Sequence, residues 1–183
     1  YTKEGAYIYI PKSVVAEKPI ELIHFSTGKE KCLWLQPRNL IIVDKNAQVQ
    51  ILERHQSLKP HQLVTNSVTE IFAHQDAFLD YYKIQNDFST ASLIDNTYIS
   101  QLKNSNVRMH TFSLGGKLTR NNLNFYLKGT NANSTLKGVT ILDEKQHVDH
   151  YTLVDHIKPD CDSHQDYKGV FSDGAIGVFN GKI

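Results

Sequence analysis

The stretch that decides the fold covers residues 118–136 and reads LTRNNLNFYLKGTNANSTL. Its leucines stand at short intervals with a glycine between the last two: Leu118, Leu123, Leu127 and Leu136. Asparagine, threonine and serine fill much of the remainder, and these residues suit turns and bends better than helix interiors. Short leucine-bearing walls separated by polar corners are what the successive turns of a solenoid require. The stretch therefore predicts short strands wound into a coil.

Short strand-forming runs continue outward from this stretch in both directions. The predicted strands are Tyr7–Ile10, Ile20–Phe25, Leu40–Val43, Val49–Glu53, Val68–Ala73, Phe78–Gln85, Ser92–Ser100, Val107–Ser113, Leu123–Leu127, Gly138–Leu142, Val148–Val154 and Gly177–Phe179. The predicted turns between them are Ser26–Gly28, Asp44–Asn46, Asn86–Asp87, Lys103–Asn106, Gly115–Gly116, Gly129–Asn131 and Ser172–Gly174. Many short strands at fairly even spacing are typical of a sandwich, a barrel or a solenoid.

No segment of helical length carries an apolar stripe of helical period. Residues 66–77 come nearest, but their β-branched and aromatic side chains favour a strand. Without helices the βαβ type of crossover is excluded, which leaves antiparallel sheets or a parallel coil. Polar clusters predicted near strand ends favour the coil, since they can stack at its corners, although no strict repeat period emerges. These clusters are Asn96-Thr97, Asn104–Asn106, Asn121-Asn122 and Asn131–Thr135.

Composition limits the classes of function that are open to the chain. It has 183 residues and a formal net charge of +1, which gives no electrostatic reason to expect nucleic acid or an anionic membrane as a partner. No apolar run reaches the length of a membrane span, and the first residues do not resemble a signal peptide. Two distant cysteines, Cys32 and Cys161, favour a reducing compartment over a disulfide framework. We expect a single domain over residues 1–183, with residues 1–19 as a lead-in segment.

An ordered set of local patterns resembles the SufB/SufD family of iron–sulfur cluster assembly proteins. The patterns are Tyr7–Lys12, Glu17–Leu22, Arg38–Val43, Ala47–Arg54, Asn66–Ile71, Leu114–Leu123, His147–His150, His156, Cys161–Ser163, Tyr167–Val170 and Gly177–Ile183. The set extends over nearly the whole chain. The middle of the chain has no cysteine, which makes it more similar to SufD than to SufB.

This resemblance implies a right-handed parallel β-helix, the family's flanking helical regions being absent from this chain. It implies a non-catalytic scaffold subunit of the SUF system in the cytoplasm, with SufB-like and SufC-like subunits as partners. It further implies that an iron–sulfur cluster or iron passes transiently through the subunit interface of the full complex, while the isolated segment holds no cofactor. The sequence has no phosphate-binding Gly-x-x-x-x-Gly-Lys-Ser/Thr motif, so the ATPase must be a partner. We expect the isolated segment to form a homodimer through an exposed strand edge or coil wall.

Candidate metal ligands concentrate near the C-terminal end. His156, Cys161 and His164 are the predicted metal ligands, because imidazole and thiolate are ligands for iron and zinc. The alternative interpretation is a turn in which Asp162 and Ser163 cap backbone groups, with structural histidines around it. Cys161–His164 resembles the family's Cys-Ser-His element only superficially. By its order along the chain it is the preceding element, so no cluster role is transferred to it.

The remaining candidates give weaker signals. On a strand, His150 shares a face with Val148 and Thr152, whereas His147 shares the other face with Asp149. Five scattered histidines are interpreted as structural or surface residues: His24, His55, His61, His74 and His110. No carboxylates at a recognisable spacing indicate a catalytic pair, and no catalytic residue is predicted. The alternative function is a polysaccharide-binding or polysaccharide-cleaving β-helix, and a third possibility is a metal-binding β-barrel built on residues 147–156.

Overall fold

A computed structural model describes residues 4–27 and 32–183, and these residues form fourteen strands. The strands are β1 (Tyr7–Ile10), β2 (Ile20–Ser26), β3 (Cys32–Leu35), β4 (Arg38–Val43), β5 (Gln48–Ser57), β6 (Gln62–Ala73), β7 (Phe78–Gln85), β8 (Ala91–Gln101), β9 (Asn106–Ser113), β10 (Leu118–Leu127), β11 (Asn133–Leu142), β12 (His147–Asp155), β13 (Asp162–Phe171) and β14 (Ile176–Lys182). The predicted turn at Ser26–Gly28 falls partly outside the described residues.

The strands pair in parallel and form two sheets that face each other. Sheet A has eight strands in the order β1-β4-β6-β8-β10-β12-β14, with β3 also on β6, and sheet B has six in the order β13-β11-β9-β7-β5-β2. Consecutive strands along the chain alternate between the two sheets over most of its length, so the backbone winds as a β-solenoid of about six turns. The predicted parallel β-helix is confirmed, and its right-handedness stays a prediction. The described residues contain no helix and so no helix that could cross a membrane.

The coils differ in length. Residues that pair in neighbouring coils lie between 26 and 33 positions apart along the chain, as Ser92 with Leu118 and Tyr7 with Leu40 show. Strand lengths range from 4 to 12 residues. A repeat of variable length leaves no fixed sequence period, which explains why none could be read from the sequence.

Side chains alternate between the inside and the outside of the coil, as in β6, where buried and more exposed residues follow one another. One half of the interior, called the apolar half here, consists of fully buried hydrophobic residues: Ile41, Val43, Ile51, Ile71, Leu79, Ile99, Met109, Phe125, Leu127 and Leu136. The other half, called the polar half, is lined by buried polar and charged residues, Glu53 and Lys83 among them. Two columns of its polar residues are in register. In sheet B these are His24, His55, Gln85, Ser113 and Thr140, and in sheet A they are Ser67, Asp95, Asn121 and His150.

One corner of the coil repeats the same backbone conformation in successive turns. Six residues at this corner have φ between 57° and 61°: Ser13, Asn46, Asp76, Asn104, Asn131 and Asp160. Asparagine and aspartate tolerate this left-handed region better than other side chains. Asn131 Nδ2 donates to Asn104 Oδ1 at 3.1 Å, and Asn104 Nδ2 donates to Asp76 Oδ1 at 2.8 Å. The stacked polar corner predicted around Asn104 and Asn131 is therefore present.

Two of the clusters predicted at corners lie in the middle of strands instead. Asn96-Thr97 lies within β8 and Asn121-Asn122 within β10. The outward-facing members still stack, because Asn122 Nδ2 donates to Asn96 Oδ1 at 2.9 Å. Asn121 and Thr97 point inward and are buried. The prediction of their place was wrong because an amide can satisfy its hydrogen bonds against the next coil as well as at a turn.

Two strands, β3 and β13, were not predicted. β3 and β4 both pair with β6, and the interruption between them falls at Gln36-Pro37, where proline cannot donate a ladder hydrogen bond. β13 begins at Asp162, so Asp162 and Ser163 are strand residues rather than the capping residues of a turn. The lead-in segment, residues 1–19, contributes β1 and an isolated bridge from Val15 to Gln48. It is therefore part of the coil over much of its described length.

Candidate functional site

The three predicted metal ligands lie near one another in sequence, but their side chains take different partners. His156 follows β12, and its Nε2 lies 3.0 Å from Ser163 Oγ. Cys161 Sγ donates a hydrogen bond to the backbone oxygen of Gly129 at 3.3 Å. His164 occupies an exposed position of β13. Within residues 4–27 and 32–183 these three do not form a group of converging ligand atoms, and metal binding by them stays a prediction.

The histidines of β12 separate onto two faces, as the strand alternation predicts. His150 is buried in the polar half, where its Nδ1 lies 3.2 Å from Asn121 Nδ2 and its Nε2 lies 2.9 Å from Thr140 Oγ1. Burial lowers the pKa of His150 to about 4, so its ring is neutral at pH 7. His147 faces the other way and is half-buried, on the same side as Asp149, which pairs with Arg120.

A charge network that the sequence analysis did not predict lies in the polar half of the interior and includes Asp95 of the sheet A column. Lys83 Nζ lies 2.6 Å from Asp95 Oδ2 and 3.1 Å from Glu53 Oε2. Lys83 has an exposed fraction of 1% and Glu53 of 0%. Isolated charges are very costly to bury, so each must be compensated by its neighbours. Here one ammonium bridges two carboxylates that come from opposite sheets.

The register of the coil produces this meeting. Glu53 on β5 pairs directly with Lys83 on β7, so both side chains enter the interior one above the other. Asp95 approaches from β8 in sheet A. Hydrogen bonds complete the shell: Tyr81 donates to Glu53 Oε2 at 2.7 Å, and Ser67 donates to Asp95.

The electrostatics of the network fix its protonation. Burial alone would raise the pKa of Glu53, but the Lys83 ammonium and the neighbouring rings of His24 and His55 hold that pKa well below its ordinary value. Burial likewise works to lower the pKa of Lys83, yet the carboxylates of Asp95 and Glu53 outweigh it and the pKa is raised. A carboxyl that stays ionised and an ammonium that stays protonated do not exchange protons near neutral pH, so the network is unsuited to general acid–base catalysis.

Farther along the polar half, neutral groups take over from charges. Gln85 Nε2 donates to Asn121 Oδ1 at 2.6 Å, and Ser113 donates to Gln85 Oε1 at 2.8 Å. These bonds connect the two sheets and successive coils. This part of the polar half is therefore a network of side chains that hydrogen-bond to one another inside the coil.

The structure brings together three residues that the sequence analysis left apart. His24 and His55 are register partners on β2 and β5, and their rings stack with centroids 4.6 Å apart. Both rings approach Glu53 Oε1, at 3.1 Å from His24 Nε2 and 3.4 Å from His55 Nε2. A sequence signal did exist for one pair, because Glu53 and His55 are two positions apart and share a strand face. His24 could not be placed without knowing the coil offset.

The geometry defines a class of protein first. The described residues form a parallel β-solenoid whose interior holds a buried ion network beside stacked polar side chains. Comparison with known proteins then supplies the family. The family described as "SUF system FeS cluster assembly, SufBD core domain" matches residues 24–183, and the chain belongs to this family.

Individual relatives agree with this assignment. The chain is 28% identical over 188 residues to an iron–sulfur cluster assembly SufBD family protein of Synechocystis, covering 98% of the chain and 42% of the relative. It is 24% identical to the iron–sulfur cluster assembly protein SufD of Escherichia coli (97% and 42% covered). It is 23% identical to the SufD protein of Bacillus subtilis (97% and 40% covered). The chain is therefore SufD-like, and it spans about two fifths of the length of these curated relatives.

Proposed function

We propose that the protein is a non-catalytic scaffold subunit of the SUF system, acting in the cytoplasm with SufB-like and SufC-like subunits. Iron or a nascent iron–sulfur cluster is the cargo and occupies the subunit interface only transiently. Family membership supports the assembly role. The fixed protonation of the interior charge network supports the absence of catalysis, because the buried carboxylates are held by cations instead of being free to react.

The observation that carries the docking part of this proposal is the last turn of the coil. Phe171 and Phe179 occupy inward-facing positions, in register with buried Leu142 and His150 of the preceding turn. Yet Phe171 is 45% exposed and Phe179 is 50% exposed. Tyr167 packs on Phe179 with ring centroids 4.8 Å apart. A coil end whose inward-facing aromatic side chains are exposed needs a further surface against it.

Two kinds of surface can cover this end. Because the chain spans about two fifths of its curated relatives, a further segment of the full-length protein can pack there, or a partner subunit can. Self-association of the isolated segment uses the same exposed apolar area and stays a prediction. Light scattering that shows only monomers of the isolated segment would contradict it.

The ATPase function is assigned to the SufC-like partner. The 183 residues of this sequence contain no Gly-x-x-x-x-Gly-Lys-Ser/Thr motif, and in this proposal the phosphate-cradling loop belongs to the SufC-like chain. The scaffold contributes rigid walls, and the partner contributes the energy of nucleotide hydrolysis.

Co-purification tests the proposal. The full-length protein is expressed with SufB-like and SufC-like subunits from the same source, purified anaerobically, and analysed for iron and acid-labile sulfide. We expect a stable complex, which Phe179→Ser weakens while Phe72→Ser, a partly exposed outward-facing control on β6, does not. Circular dichroism confirms that both variants are folded. Failure to form a complex would overturn the proposal. Glycan cleavage by the protein alone would favour the polysaccharide alternative.

A further inference from the structure

The cluster of His24, Glu53 and His55 has the composition and spacing of a metal site. One donor atom from each residue lies within 4.8 Å of the others, and within the described residues, 4–27 and 32–183, no other group of three or more meets this condition. In a tetrahedral zinc site with metal–ligand distances of about 2.0–2.2 Å, the donor atoms lie roughly 3.3–3.6 Å apart. The two distances from Glu53 Oε1 to the imidazole nitrogens, 3.1 and 3.4 Å, are close to that spacing.

Unsatisfied polar atoms point to a missing ligand at this place. His55 Nε2 is buried and has no hydrogen-bond partner among the described residues, although it lies 3.4 Å from Glu53 Oε1. Ser26 Oγ, on the same face of β2, is in the same condition. His24, Ser26 and His55 all line one cavity of about 240 Å³. Buried polar atoms nearly always have hydrogen-bond partners. Two unpaired polar atoms at a single cavity therefore indicate a bound ion or ligand.

The charge count points to a cation. Glu53 and Asp95 share Lys83, so two carboxylates are compensated by one ammonium. Lys83 contacts Glu53 Oε2, whereas Oε1 faces the two histidines. A net negative charge therefore remains in the network, next to the two histidines that line the cavity. Buried charge of this kind is stable only when it is paired or coordinates a metal.

We propose that His24, Glu53 and His55 bind one divalent first-row metal ion of the Zn²⁺ or Fe²⁺ kind. Two imidazoles and one carboxylate are the ligand set of catalytic zinc sites and of the non-haem iron triad, and both leave coordination positions open. Here His24 and His55 line the cavity, which would leave room for further ligands on the ion. The ion joins β2, the terminal strand of sheet B, to β5, and so fastens the first turn of that sheet.

The surroundings of the carboxylate suit a ligand that must hold its orientation. Tyr81 donates to Glu53 Oε2 at 2.7 Å, and Asn39 Nδ2 donates to Oε1 at 3.2 Å. Such outer contacts orient metal-binding groups and keep them basic. The proposed site is distinct from the predicted ligands His156, Cys161 and His164, and it does not depend on the scaffold function.

A competition titration tests the site. The full-length protein is stripped with a chelator and titrated with Zn²⁺ against a chromogenic chelator, and Co²⁺ is used as a spectroscopic probe. We expect one Zn²⁺ per chain, bound at least tenfold more weakly by His24→Gln and by His55→Gln. His110→Gln is the matched control, because that histidine stacks on Tyr82 outside the site, and its affinity should be unchanged.

Several outcomes separate this site from its alternatives. X-ray absorption of the zinc form should show only nitrogen and oxygen ligands, and a sulfur ligand would move the metal to a cysteine and overturn the proposal. His24 lies at the rim and is only partly buried, so His24→Gln decides the question if His55→Gln fails to fold. Unchanged affinity in a folded His24→Gln protein would mean that the metal binds elsewhere, and the absence of binding by the stripped wild type would mean that there is no site; either result would overturn the proposal.

Discussion

The apolar half and the polar half of the coil interior are built on the same strands and the same parallel register, yet they differ in how they specify the fold. Ile41 stacks on Ile71, and Ile71 on Ile99, so one turn of the apolar half resembles the next. In the polar half, Lys83 requires Glu53 and Asp95 in particular. Hydrophobic packing is non-directional and tolerates exchange, whereas a buried charge tolerates only its own partners. The apolar half therefore stabilises the coil through packing that any two neighbouring turns can make. The polar half determines which turn can lie next to which.

The largest expected effect tests the polar half. Lys83→Met leaves Glu53 and Asp95 buried beside each other without a counter-charge, and we expect it to lower the free energy of unfolding by about 3–5 kcal/mol. Urea denaturation followed by circular dichroism measures this change. Lys137→Met, on the exposed face of β11, is the matched control and should change stability by less than about 0.5 kcal/mol. Adding Glu53→Gln and Asp95→Asn to Lys83→Met should restore part of the loss.

A truncation in the apolar half gives the counterpart. Leu136→Ala removes a fully buried side chain and leaves a cavity, at a cost of about 2–4 kcal/mol. No charge is involved, so we expect the same loss at pH 7 and at pH 5. Denaturation curves at both pH values check this, and a loss that depends strongly on pH would contradict the division of the interior into two halves.

A smaller effect should follow pH through His150. Its pKa is about 4 in the folded protein and about 6.5 when unfolded, so above pH 6.5 neither state is charged and the stability is fully present. As the pH falls from 6.5 toward 4, His150 binds a proton in the unfolded state but not in the folded state, so the folded state loses stability. We expect about 2 kcal/mol of loss between pH 7 and pH 5 from this residue. His150→Gln should remove that part of the slope, and identical slopes in the two proteins would show that His150 is not responsible.

The smallest expected effect lies at the corner beside the apolar half. Asn104 has φ of 57°, where alanine is disfavoured by about 1 kcal/mol or slightly more and glycine is not. Both Asn104→Ala and Asn104→Gly lose the side-chain bonds to Asp76 and Asn131. The difference between their unfolding free energies therefore isolates the backbone contribution. Equal stabilities would mean that the corner relaxes out of the left-handed region.

The sequence predicted the fold where local pattern and tertiary structure agree. Phe78–Gln85 was predicted with its true bounds, because alternating apolar residues end at the Asn-Asp turn. β13 was missed because its first inward-facing residues, Ser163 and Gln165, are polar, so hydrophobic alternation does not mark where it begins. β3 was missed because four residues before a proline carry too little pattern.

The candidate site was less accessible to prediction than the fold. Glu53, Lys83 and Asp95 meet through register and through the facing of two sheets, and neither can be read from spacing when the coil length varies. His24 and His55 are 31 positions apart, an offset that belongs to one pair of coils only. The His156, Cys161 and His164 prediction relied on closeness in sequence. In the structure His156 and Cys161 have different partners, Ser163 and Gly129, and metal binding by the three residues stays a prediction.

The bridging ammonium of Lys83 has a consequence for how such chains can change length over generations. Solenoids grow and shrink by duplication or loss of whole repeats, and stacked aliphatic layers would accept almost any such exchange. Loss of the turn that carries Lys83 would leave the buried carboxylate of Glu53 without its counter-ion. Insertion of a turn between β5 and β7 would separate Glu53 from Lys83. A change in the number of turns between β5 and β8 would therefore destabilise the protein. We expect that number to stay constant, while the number of turns nearer the C-terminus varies.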